Sequence, residues 1–305
     1  MIDYTLRQLQ YFRVVAECGS IAAAANSLFL SHSALSSAMN DLERHFGVPL
    51  FVRRRSQGVS LTPDGAHLLT LSRDLLGRAS DLDAQMSGEG QVLRGAVSVG
   101  CYTTLAATVL PVILDDFATA FPDVSVRYSD GSLDELIATH LKGELDVFVT
   151  YRHSIPSTFS EVVLYELQPY VLLPAGHHLA DESLIELDRL AHEPLVLFDV
   201  APSGRHTLDV LERAGVLPHV AFRTSNFELV RSLVGRGLGY SILMQSPAAD
   251  VSYEGTRVVA RPLTQSSPVT SVVMAWRAEQ GLTDRATALV EHLRSTFARS
   301  AQVAD

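Results

Sequence analysis

The apolar positions at the start of the chain follow a helical period. Leu6, Leu9 and Phe12 lie on one side of a first helix, which Gly19 ends. A second, Ala-rich helix is predicted over residues 21–28, and its small side chains allow a neighbouring helix to approach closely. The short turn that follows this helix predicts a helix-turn-helix.

A third helix is predicted from Ser31, a good N-cap, to Gly47. Apolar side chains at intervals of 4, 3 and 4 form its buried face: Leu35, Met39, Leu42 and Phe46. Its other face is polar and consists of Ser31, His32, Ser33, Ser36, Ser37 and Asn40. Small hydroxyl groups can approach phosphates and base edges, and His32 or Asn40 can donate and accept hydrogen bonds in a major groove. The alternative is a solvated polar face.

Two short strands are predicted next, at 50–54 and 58–61, around the consecutive Arg53, Arg54 and Arg55. An arginine run alone is more often a solvated loop. A hairpin in this position is instead typical of a wing, whose arginines bind the phosphate backbone of DNA. The hairpin therefore favours base reading by the third helix.

A long helix begins at Thr62, Pro63 and Asp64, which supply a capping hydroxyl, a proline suited to the first turn and an acid near the positive end of the helix dipole. Its apolar positions have the spacing 3, 4, 4, 3 and 4 of a coiled-coil seam: Leu68, Leu71, Leu75, Ala79, Leu82 and Met86. We expect this seam to form a dimer. The alternative is packing on the helix's own domain.

Composition and charge fit a modular folded protein. The chain has 305 residues, of which 47% are hydrophobic and 19% charged, enough for two or three domains. The net charge of -10 would by itself argue against binding to nucleic acid. It is unevenly distributed along the chain: residues 1–86 hold eight Arg and eight acids, so the remaining 219 residues carry all of the negative charge. Two distant cysteines, Cys18 and Cys101, fit a reducing compartment. With no signal-peptide pattern and no apolar run of membrane-spanning length, a cytoplasmic location is expected.

After residues 87–91, a predicted hinge, strands alternate with helices, which predicts parallel sheets with crossovers. The predicted strands are 92–100, 124–129, 145–151, 165–173, 195–199, a segment near Ala221, 240–244 and 269–275. Helices are predicted at 103–121, 133–141 and 205–214, and Pro111 kinks the first of these or delays its start. Two more are predicted, one capped by Ser225 and Glu228 and a last one with Ala286, Leu289, Leu293 and Phe297 on one face. This order predicts two α/β lobes, with the last segments returning to the first lobe. Such lobes bind small molecules in the cleft at the carboxyl ends of their strands.

Polar and aromatic residues stand at these strand ends and helix starts, and we expect about half of them to line the cleft. They are Cys101, Tyr102, Thr103, Thr104, Ser129, Asp130, Thr150, Tyr151, Phe198, Asp199, Ser203, Thr224, Ser225, Asn226 and Phe227. Free N–H groups at the helix start near Thr103 can hold an anion. Other roles stay open: Ser225 can cap its helix, Tyr102 and Phe227 can be core residues, and Asp130 can cap a turn.

No pattern supports catalysis, a metal ion or a cofactor. His177 and His178, with Asp181 and Glu182, lie in a turn at spacings that no tetrahedral metal site requires, so a solvated loop is favoured. Cys101 is better interpreted as a small pocket residue than as a reactive thiol. The glycines at 235–239 precede a strand, which excludes a dinucleotide fingerprint. Two other classes remain as alternatives: a small-molecule-binding protein without DNA function, and a two-lobed enzyme such as a deaminase.

Residues 20–65 resemble the winged helix-turn-helix of LysR-type transcriptional regulators. The motifs that carry the resemblance are Ala24-Ala25, the stretch from Ser31 to Ser36, Leu42-Glu43, the stretch from Gly47 to Arg53, and the stretch from Leu61 to Gly65. His32 and Ser37 stand where the family often has Gln and Arg, which affects the preferred DNA sequence rather than DNA binding itself.

The resemblance implies a winged helix-turn-helix over 1–62, a linker and dimerisation helix with a hinge over 63–91, and an effector-binding domain over 92–305. This last domain has two α/β lobes similar to periplasmic solute-binding proteins, with lobe I at about 92–163 and 268–305 and lobe II at about 164–267. The implied function is a DNA-binding regulator, not an enzyme, controlled by a small polar effector that bears a carboxylate. The implied partners are double-stranded DNA, the effector, further copies in a homodimer or homotetramer, and RNA polymerase if the protein is an activator; no membrane, metal or cofactor is implied.

Overall fold

The computed structural model describes residues 3–54, 58–86, 93–152, 155–245, 247, 249–264, 269–279 and 281–303. Its first part is a small helical domain with a two-stranded hairpin and a long helix. The elements are α1 (Leu6–Cys18), α2 (Ile21–Ser27), α3 (His32–Phe46), β1 (Phe51–Arg54), β2 (Gly58–Leu61) and α4 (Pro63–Met86). Most of the apolar positions predicted for these helices meet in one buried core. Leu6, predicted on the apolar side of α1, is instead exposed, and Phe46 at the end of α3 is only half-buried.

Side-chain caps and glycines set the ends of these helices. Ser20 and Ser31 precede α2 and α3, and each side chain accepts a hydrogen bond from the backbone N–H three residues further on. Gly19 and Gly47 follow α1 and α3 in the left-handed conformation, with φ of 61° and 70°. The serines and glycines that the sequence indicates as helix caps therefore lie at the observed ends of these helices.

The hairpin is fixed to α3 and α4 by a small set of polar contacts. Glu43 Oε1 accepts hydrogen bonds from the backbone N–H groups of Leu50 (2.8 Å) and Phe51 (3.2 Å). Thr62 Oγ1 accepts from Gly65 N at 2.9 Å and thereby caps α4. A Cβ on Gly65 would lie 2.0 Å from the carbonyl oxygen of Leu50, so the chain needs glycine there. These contacts hold the hairpin beside the start of α4.

The second part of the chain forms two α/β lobes. Its elements are β3 (Gly95–Tyr102), α5 (Thr103–Val112), α6 (Ala118–Ala120), β4 (Val124–Gly131), α7 (Leu133–Leu141), β5 (Val147–Tyr151), β6 (Phe159–Leu167), β7 (Tyr170–Pro174), β8 (Pro194–Phe198), α8 (Ser203–Arg213), β9 (His219–Thr224), α9 (Phe227–Gly235), β10 (Ser241–Leu243), β11 (Val258–Pro262), β12 (Thr270–Arg277) and α10 (Asp284–Val303). Lobe I contains a five-stranded sheet of order β4-β3-β5-β12-β6. Lobe II contains the sheet β10-β7-β11 and the pair β8-β9.

The sheets are mixed rather than purely parallel. In lobe I, β3 is parallel to β4 and β5, whereas β12 is antiparallel to β5 and β6 because it returns from lobe II. In lobe II, β8 and β9 are parallel, and β7 is antiparallel to both of its neighbours. The predicted return of the last segments to lobe I is confirmed.

Three local predictions are corrected by the structure, and the disturbance expected at Pro111 is present. The predicted strand 165–173 is two strands, β6 and β7, because the chain leaves the first sheet at Gln168 and Pro169. Strand β11 was not predicted. Pro111, which lacks an N–H, is followed by a π-helical turn over Ile113–Phe117 that divides the predicted helix. Asn226, not Ser225, caps α9, and its Oδ1 accepts hydrogen bonds from two backbone N–H groups at 3.0 Å. The predicted hinge at 87–91 lies outside the described residues.

One helical segment, Thr103–Ala120, is long and apolar enough to cross a membrane by length and composition, contrary to the expectation that no run approaches that length. Leu105, Val109, Ile113 and Phe117 on this segment are fully buried in the core of lobe I. Packing in the core of lobe I accounts for these apolar positions, although only 28% of the segment is buried.

Candidate nucleic-acid interface and ligand cleft

Helix α3 has one apolar face inside the first domain and one polar face outside. Leu35, Met39 and Leu42 are completely buried. The exposed predicted residues of the other face are Ser31, His32, Ser33, Ser37 and Asn40, and Ser36 is half-buried. The helix therefore presents hydroxyl, imidazole and amide groups together on an exposed surface.

The start of α3 suits a negatively charged ligand. The first turn holds no acidic residue, and its N–H groups form the positive end of the helix dipole. Ser31 Oγ accepts from Ala34 N at 3.2 Å and lies 3.2 Å from Ser33 Oγ. Ser31 thus has a capping role in addition to any contact it makes with DNA.

In the hairpin, the backbones of Arg53 and Arg54 pair with Val59 and Gly58 in the β1–β2 ladder. Arg55 lies outside the described residues. The hairpin follows α3 in the chain, and Glu43 of α3 is hydrogen-bonded to its first strand.

Helix α4 has two different apolar faces. Leu69, Ser72 and Leu76 are buried, and the two leucines belong to the core of the first domain. The predicted seam lies elsewhere on the helix: Leu71, Leu75, Leu82 and Met86 are exposed, and Leu68 and Ala79 are half-buried. Packing on the helix's own domain thus applies to the first face and leaves most of the seam uncovered within this chain.

A closed cleft of about 20 Å³ lies between the two lobes. It is lined by Thr104, Tyr151, Phe198, Ser203, His206, Thr207, Phe227, Ile242, Leu243, Met244 and Gln245. Five of these were nominated from the sequence: Thr104, Tyr151, Phe198, Ser203 and Phe227. This volume holds about one water molecule.

Hydrogen bonds of Tyr102 close the cleft. Its hydroxyl lies 3.0 Å from Ser203 Oγ and donates to the carbonyl oxygen of Val200 at 3.4 Å, which joins lobe I to lobe II. Burial raises the pKa of the Tyr102 hydroxyl, which therefore stays protonated. On the lobe I side, Thr104 Oγ1 and the Tyr151 hydroxyl are 3.1 Å apart.

The other nominated residues do not line the cleft. Cys101 and Thr150 are fully buried in lobe I, and burial raises the pKa of the Cys101 thiol. Thr103 Oγ1 donates to Asp130 Oδ2 at 3.2 Å, and Asp199 pairs with Arg223 at 3.2 Å. Of the remaining nominated residues, Ser129 and Ser225 are exposed. Thr224 Oγ1 accepts a hydrogen bond from the backbone N–H of Asn226, and the Asn226 side chain caps α9.

Sequence reasoning missed the cleft residues of α8 and of the segment after β10. His206 and Thr207 lie one turn into α8, where periodicity gives no signal for a cleft. Gln245 follows β10, and the strand-end rule that found Tyr151 applies to it equally. Its Nε2 lies near the hydroxyls of Tyr151 and Tyr165 but is buried without a hydrogen bond of normal geometry to the described residues.

The lining offers hydrogen-bonding groups rather than charged side chains. Among the lining residues that the structure describes, none is Lys, Arg, Asp or Glu. Burial lowers the pKa of His206, so its imidazole is neutral at neutral pH. Hydroxyl, amide and imidazole groups are therefore the polar contacts available.

The histidine turn is built around Glu193, which the sequence reasoning did not include. His177 Nε2 lies 2.6 Å from Glu193 Oε2, and His177 Nδ1 accepts from Leu179 N at 3.1 Å. Since Nδ1 accepts a hydrogen bond, Nε2 carries the proton and donates to the carboxylate. His178 is close enough to complete a group of three possible metal ligands, but the protonated Nε2 of His177 has no lone pair for a metal ion.

Together, a helix-turn-helix with a hairpin wing, a long helix and a two-lobed domain with a closable cleft define a class: DNA-binding regulators with a ligand-binding domain. Residues 6–66 match the family described as "Bacterial regulatory helix-turn-helix protein, lysR family", and residues 90–298 match "LysR substrate binding domain". The chain belongs to the LysR family of transcriptional regulators and carries both its DNA-binding and its effector-binding domain.

Several LysR-family proteins and solved structures are similar to this chain over nearly its whole length. HinK, a LysR family transcriptional regulator from Pseudomonas aeruginosa, is similar with 34% identity and a TM-score of 0.65, over 97% of this chain and 99% of HinK. Full-length OxyR C199D from the same organism has a TM-score of 0.75 and 25% identity, over 95% of this chain and 97% of OxyR. A probable hydrogen peroxide-inducible genes activator of Mycobacterium leprae is 29% identical over 91% of this chain and 89% of its own length.

Proposed function

We propose that the exposed face of α3 reads bases in the major groove while the β1–β2 hairpin binds the phosphate backbone, and that an effector in the cleft controls this binding. The observation that carries the proposal is the division of α3 into a buried apolar face and an exposed polar face. Glu43 of the same helix is hydrogen-bonded to the start of the hairpin. The residues assigned to DNA are Ser31, His32, Ser33, Ser36, Ser37, Asn40, Arg53, Arg54 and Arg55.

The effector is a small polar molecule with a carboxylate group. Two features support this chemistry. Tyr102, the N-cap of α5, supplies no side-chain hydrogen bond to the first turn, which leaves the N–H groups near Thr104 for an anion. Gln245 Nε2 is a further buried donor at the cleft. Because no cation lines the described cleft, the carboxylate is held by N–H and O–H donors.

The mechanism is a shift between closed and open lobes. The cleft of about 20 Å³ is too small for a metabolite, and the contact of Tyr102 with Ser203 stabilises the closed form. An effector that binds the open form more tightly than the closed form increases the open population. The altered lobes then change how α4 places two copies of α3 on DNA.

The protein acts as a homodimer or homotetramer, held in part by the exposed seam of α4, on DNA sites with matching symmetry. If it is an activator, RNA polymerase is a further partner. Its work on DNA places it in the cytoplasm, and it acts as a regulator rather than as an enzyme.

The DNA interface is tested by comparing two kinds of variant on many duplexes. Arg53→Ala or Arg54→Ala should weaken binding to all duplexes similarly and should flatten the salt dependence by about one unit in the log-log slope. Ser33→Ala should instead change the preference among sequences, since Ser33 is assigned to a base edge. Fluorescence anisotropy at several salt concentrations measures both effects.

The matched control is Ser295→Ala on α10, which should change neither property. Equal losses on every duplex for Ser33→Ala would refute its role in base reading. A wild-type chain that prefers no duplex over random DNA would refute the interface as a whole.

The effector class is tested by thermal-shift measurements on the full chain with pairs of small carboxylic acids and their amides. Acids that bind should raise the unfolding midpoint more than their amides do, and Gln245→Leu should reduce the difference. Amides that stabilise as well as their acids would contradict a carboxylate effector.

The names of the mycobacterial relatives suggest a second function, the response to peroxide. The cysteines of this chain do not favour it. Cys18 is exposed on α1, and Cys101 is buried in β3, where burial raises the pKa of its thiol and so suppresses the reactive thiolate. The proposal therefore remains control by a bound small molecule.

A further inference from the structure

The turn between α2 and α3 contains a strained residue. After α2, Phe29 N donates to the Asn26 carbonyl (3.2 Å) and Leu30 N donates to the Ala25 carbonyl (2.9 Å), which is the hydrogen-bond pair of a Schellman motif. Phe29 occupies the left-handed position of this motif, with φ of 55°. Glycine is usual there, because a Cβ is crowded in the left-handed conformation.

The same domain uses glycine at its other left-handed helix ends, Gly19 and Gly47. Within the part of the chain that the structure describes, Phe29 is the one non-glycine residue with a positive φ. Its side chain is 96% exposed, so packing inside the chain does not offset the strain. Backbone strain of this kind costs free energy and clusters at active sites and ligand-binding positions.

The position of Phe29 indicates what the ring contacts. It lies two residues before Ser31, the N-cap of α3, at the tip of the helix-turn-helix. In the proposed interface the start of α3 enters the major groove, so this turn lies at the edge of the groove. The apolar surfaces that DNA offers there are the C5-methyl group of thymine and the deoxyribose ring.

We propose that Phe29 binds DNA directly through one of these apolar surfaces. The inference rests on the proposed placement of α3 in the groove and adds a contact that the polar face does not include. A methyl contact makes Phe29 a determinant of sequence preference at one base pair. A deoxyribose contact makes it a determinant of affinity for any duplex.

The first test uses Phe29→Asn in the full chain and the duplex that the wild-type chain selects from a random pool. Asparagine tolerates the left-handed conformation, so the midpoint of thermal unfolding should be unchanged or higher. The affinity for the duplex should nevertheless fall by roughly 10- to 100-fold, the effect of losing a buried phenylalanine contact. A residue with a merely structural role would not combine unchanged stability with weaker binding.

Tyr253→Asn is the matched control, because Tyr253 is an aromatic residue in lobe II that is 92% exposed. Its substitution should leave DNA affinity unchanged. Phe29→Leu, which keeps an apolar side chain, should bind more tightly than Phe29→Asn.

The second test replaces single thymines of the selected duplex by deoxyuridine, which removes only the C5-methyl group. A methyl contact predicts that one such replacement weakens wild-type binding by about fourfold, the effect of one buried methyl-sized group, and does not weaken Phe29→Asn further. A deoxyribose contact predicts no effect of deoxyuridine and an equal loss on all duplexes for Phe29→Asn. Both results support a DNA contact and identify its surface.

Unchanged DNA affinity of Phe29→Asn overturns the inference while leaving the proposed DNA interface intact. If such a variant also loses transcriptional activation, the ring belongs to a protein partner. A wild-type chain without duplex preference refutes the interface and the inference together.

Discussion

His140 connects the stability of lobe I to pH through a single buried ring. The ring lies against Phe148 and Phe159, and its Nε2 accepts a hydrogen bond from the backbone N–H of Arg277 at 3.1 Å. Burial lowers the pKa of His140; a hydrogen bond with the backbone of Leu145 opposes this shift in part, and the Arg277 charge adds to it. The neutral ring is therefore the form that fits, and protonation would remove the acceptor.

The sign of the pH dependence follows from this lowered pKa. Above the ordinary histidine pKa of about 6.5 the stabilisation is fully present, and it is lost as the pH falls from there through the folded-state pKa, because the unfolded chain binds the proton more tightly.

His140→Gln keeps an acceptor but does not titrate. We expect the unfolding midpoint to fall less between about pH 7.5 and pH 5.5 in this variant than in the wild type, as measured by calorimetry. Parallel curves for the two proteins would contradict this role, and His219→Gln, at an exposed position, is the control.

Single residues also show where sequence reasoning reaches and where it stops. The strand-end rule nominated Thr104, Tyr151 and Phe198, which line the cleft, because the ends of parallel strands lie at one edge of a sheet. It did not distinguish Thr103 from Thr104, which are adjacent, although Thr103 instead contacts Asp130. Helix phase at a helix start depends on the angle between strand and helix, which the local sequence does not encode.

Among the elements, α4 shows most clearly how one helix serves several surfaces. Its buried side carries Leu69 and Leu76, and its exposed side carries Leu71 (51% exposed), Leu75 and Leu82. A coiled-coil period predicted the second set, and the first set follows from contact with α1. Exposed leucines spaced along one face are costly in water, which supports a partner helix on that face.

Charge on the exposed side should therefore disrupt the oligomer without unfolding the chain. We expect Leu71→Lys with Leu75→Lys to raise the dissociation constant of the dimer at least about 100-fold, since two buried leucines are lost in each chain. Analytical ultracentrifugation measures the oligomeric state, and circular dichroism checks the fold. Ser80→Lys, an exposed position outside the seam, is the control. A double variant that remains dimeric at the same concentration would show that another surface holds the oligomer.

At the scale of elements, the strand prediction for residues 165–173 was wrong because the local sequence does not show where the chain passes from one sheet to another. The apolar run 165–173 reads as one strand, yet the chain crosses there from the five-stranded sheet to lobe II, so β6 and β7 belong to different sheets. Pro169 was the available signal, because proline cannot continue a central strand. The antiparallel direction of β12 depends on the return of the chain from lobe II, which is a property of the whole domain.

On the scale of the whole molecule, α4 also lies against lobe I of its own chain. Arg73 Nη1 donates to the carbonyl oxygen of Lys142 at 3.4 Å, and its Nη2 pairs with Glu17 of α1 at 3.6 Å. A Cβ on Gly77 would lie 3.3 Å from Thr283 Cγ2. These contacts surround a polar groove of about 1130 Å³ between the first domain and lobe I. They give lobe I a direct route to the helix that positions the DNA-binding domain.

This contact predicts a cross-link within one chain. The variant pair is Gly77→Cys with Thr283→Cys, in a background of Cys18→Ser and Cys101→Ala, because a Cβ at position 77 would lie 3.3 Å from Cγ2 of Thr283. We expect mild oxidation to give a monomer-sized species with altered mobility on a non-reducing gel, reversed by reductant. Leu71→Cys with Thr283→Cys is the control, because Leu71 lies on another face of α4 and should form no such species.

A covalent dimer from the Gly77 and Thr283 pair would show that α4 contacts lobe I of a partner subunit instead. If the cross-linked chain keeps its DNA affinity but no longer responds to its effector, movement at this contact carries the signal between the two domains.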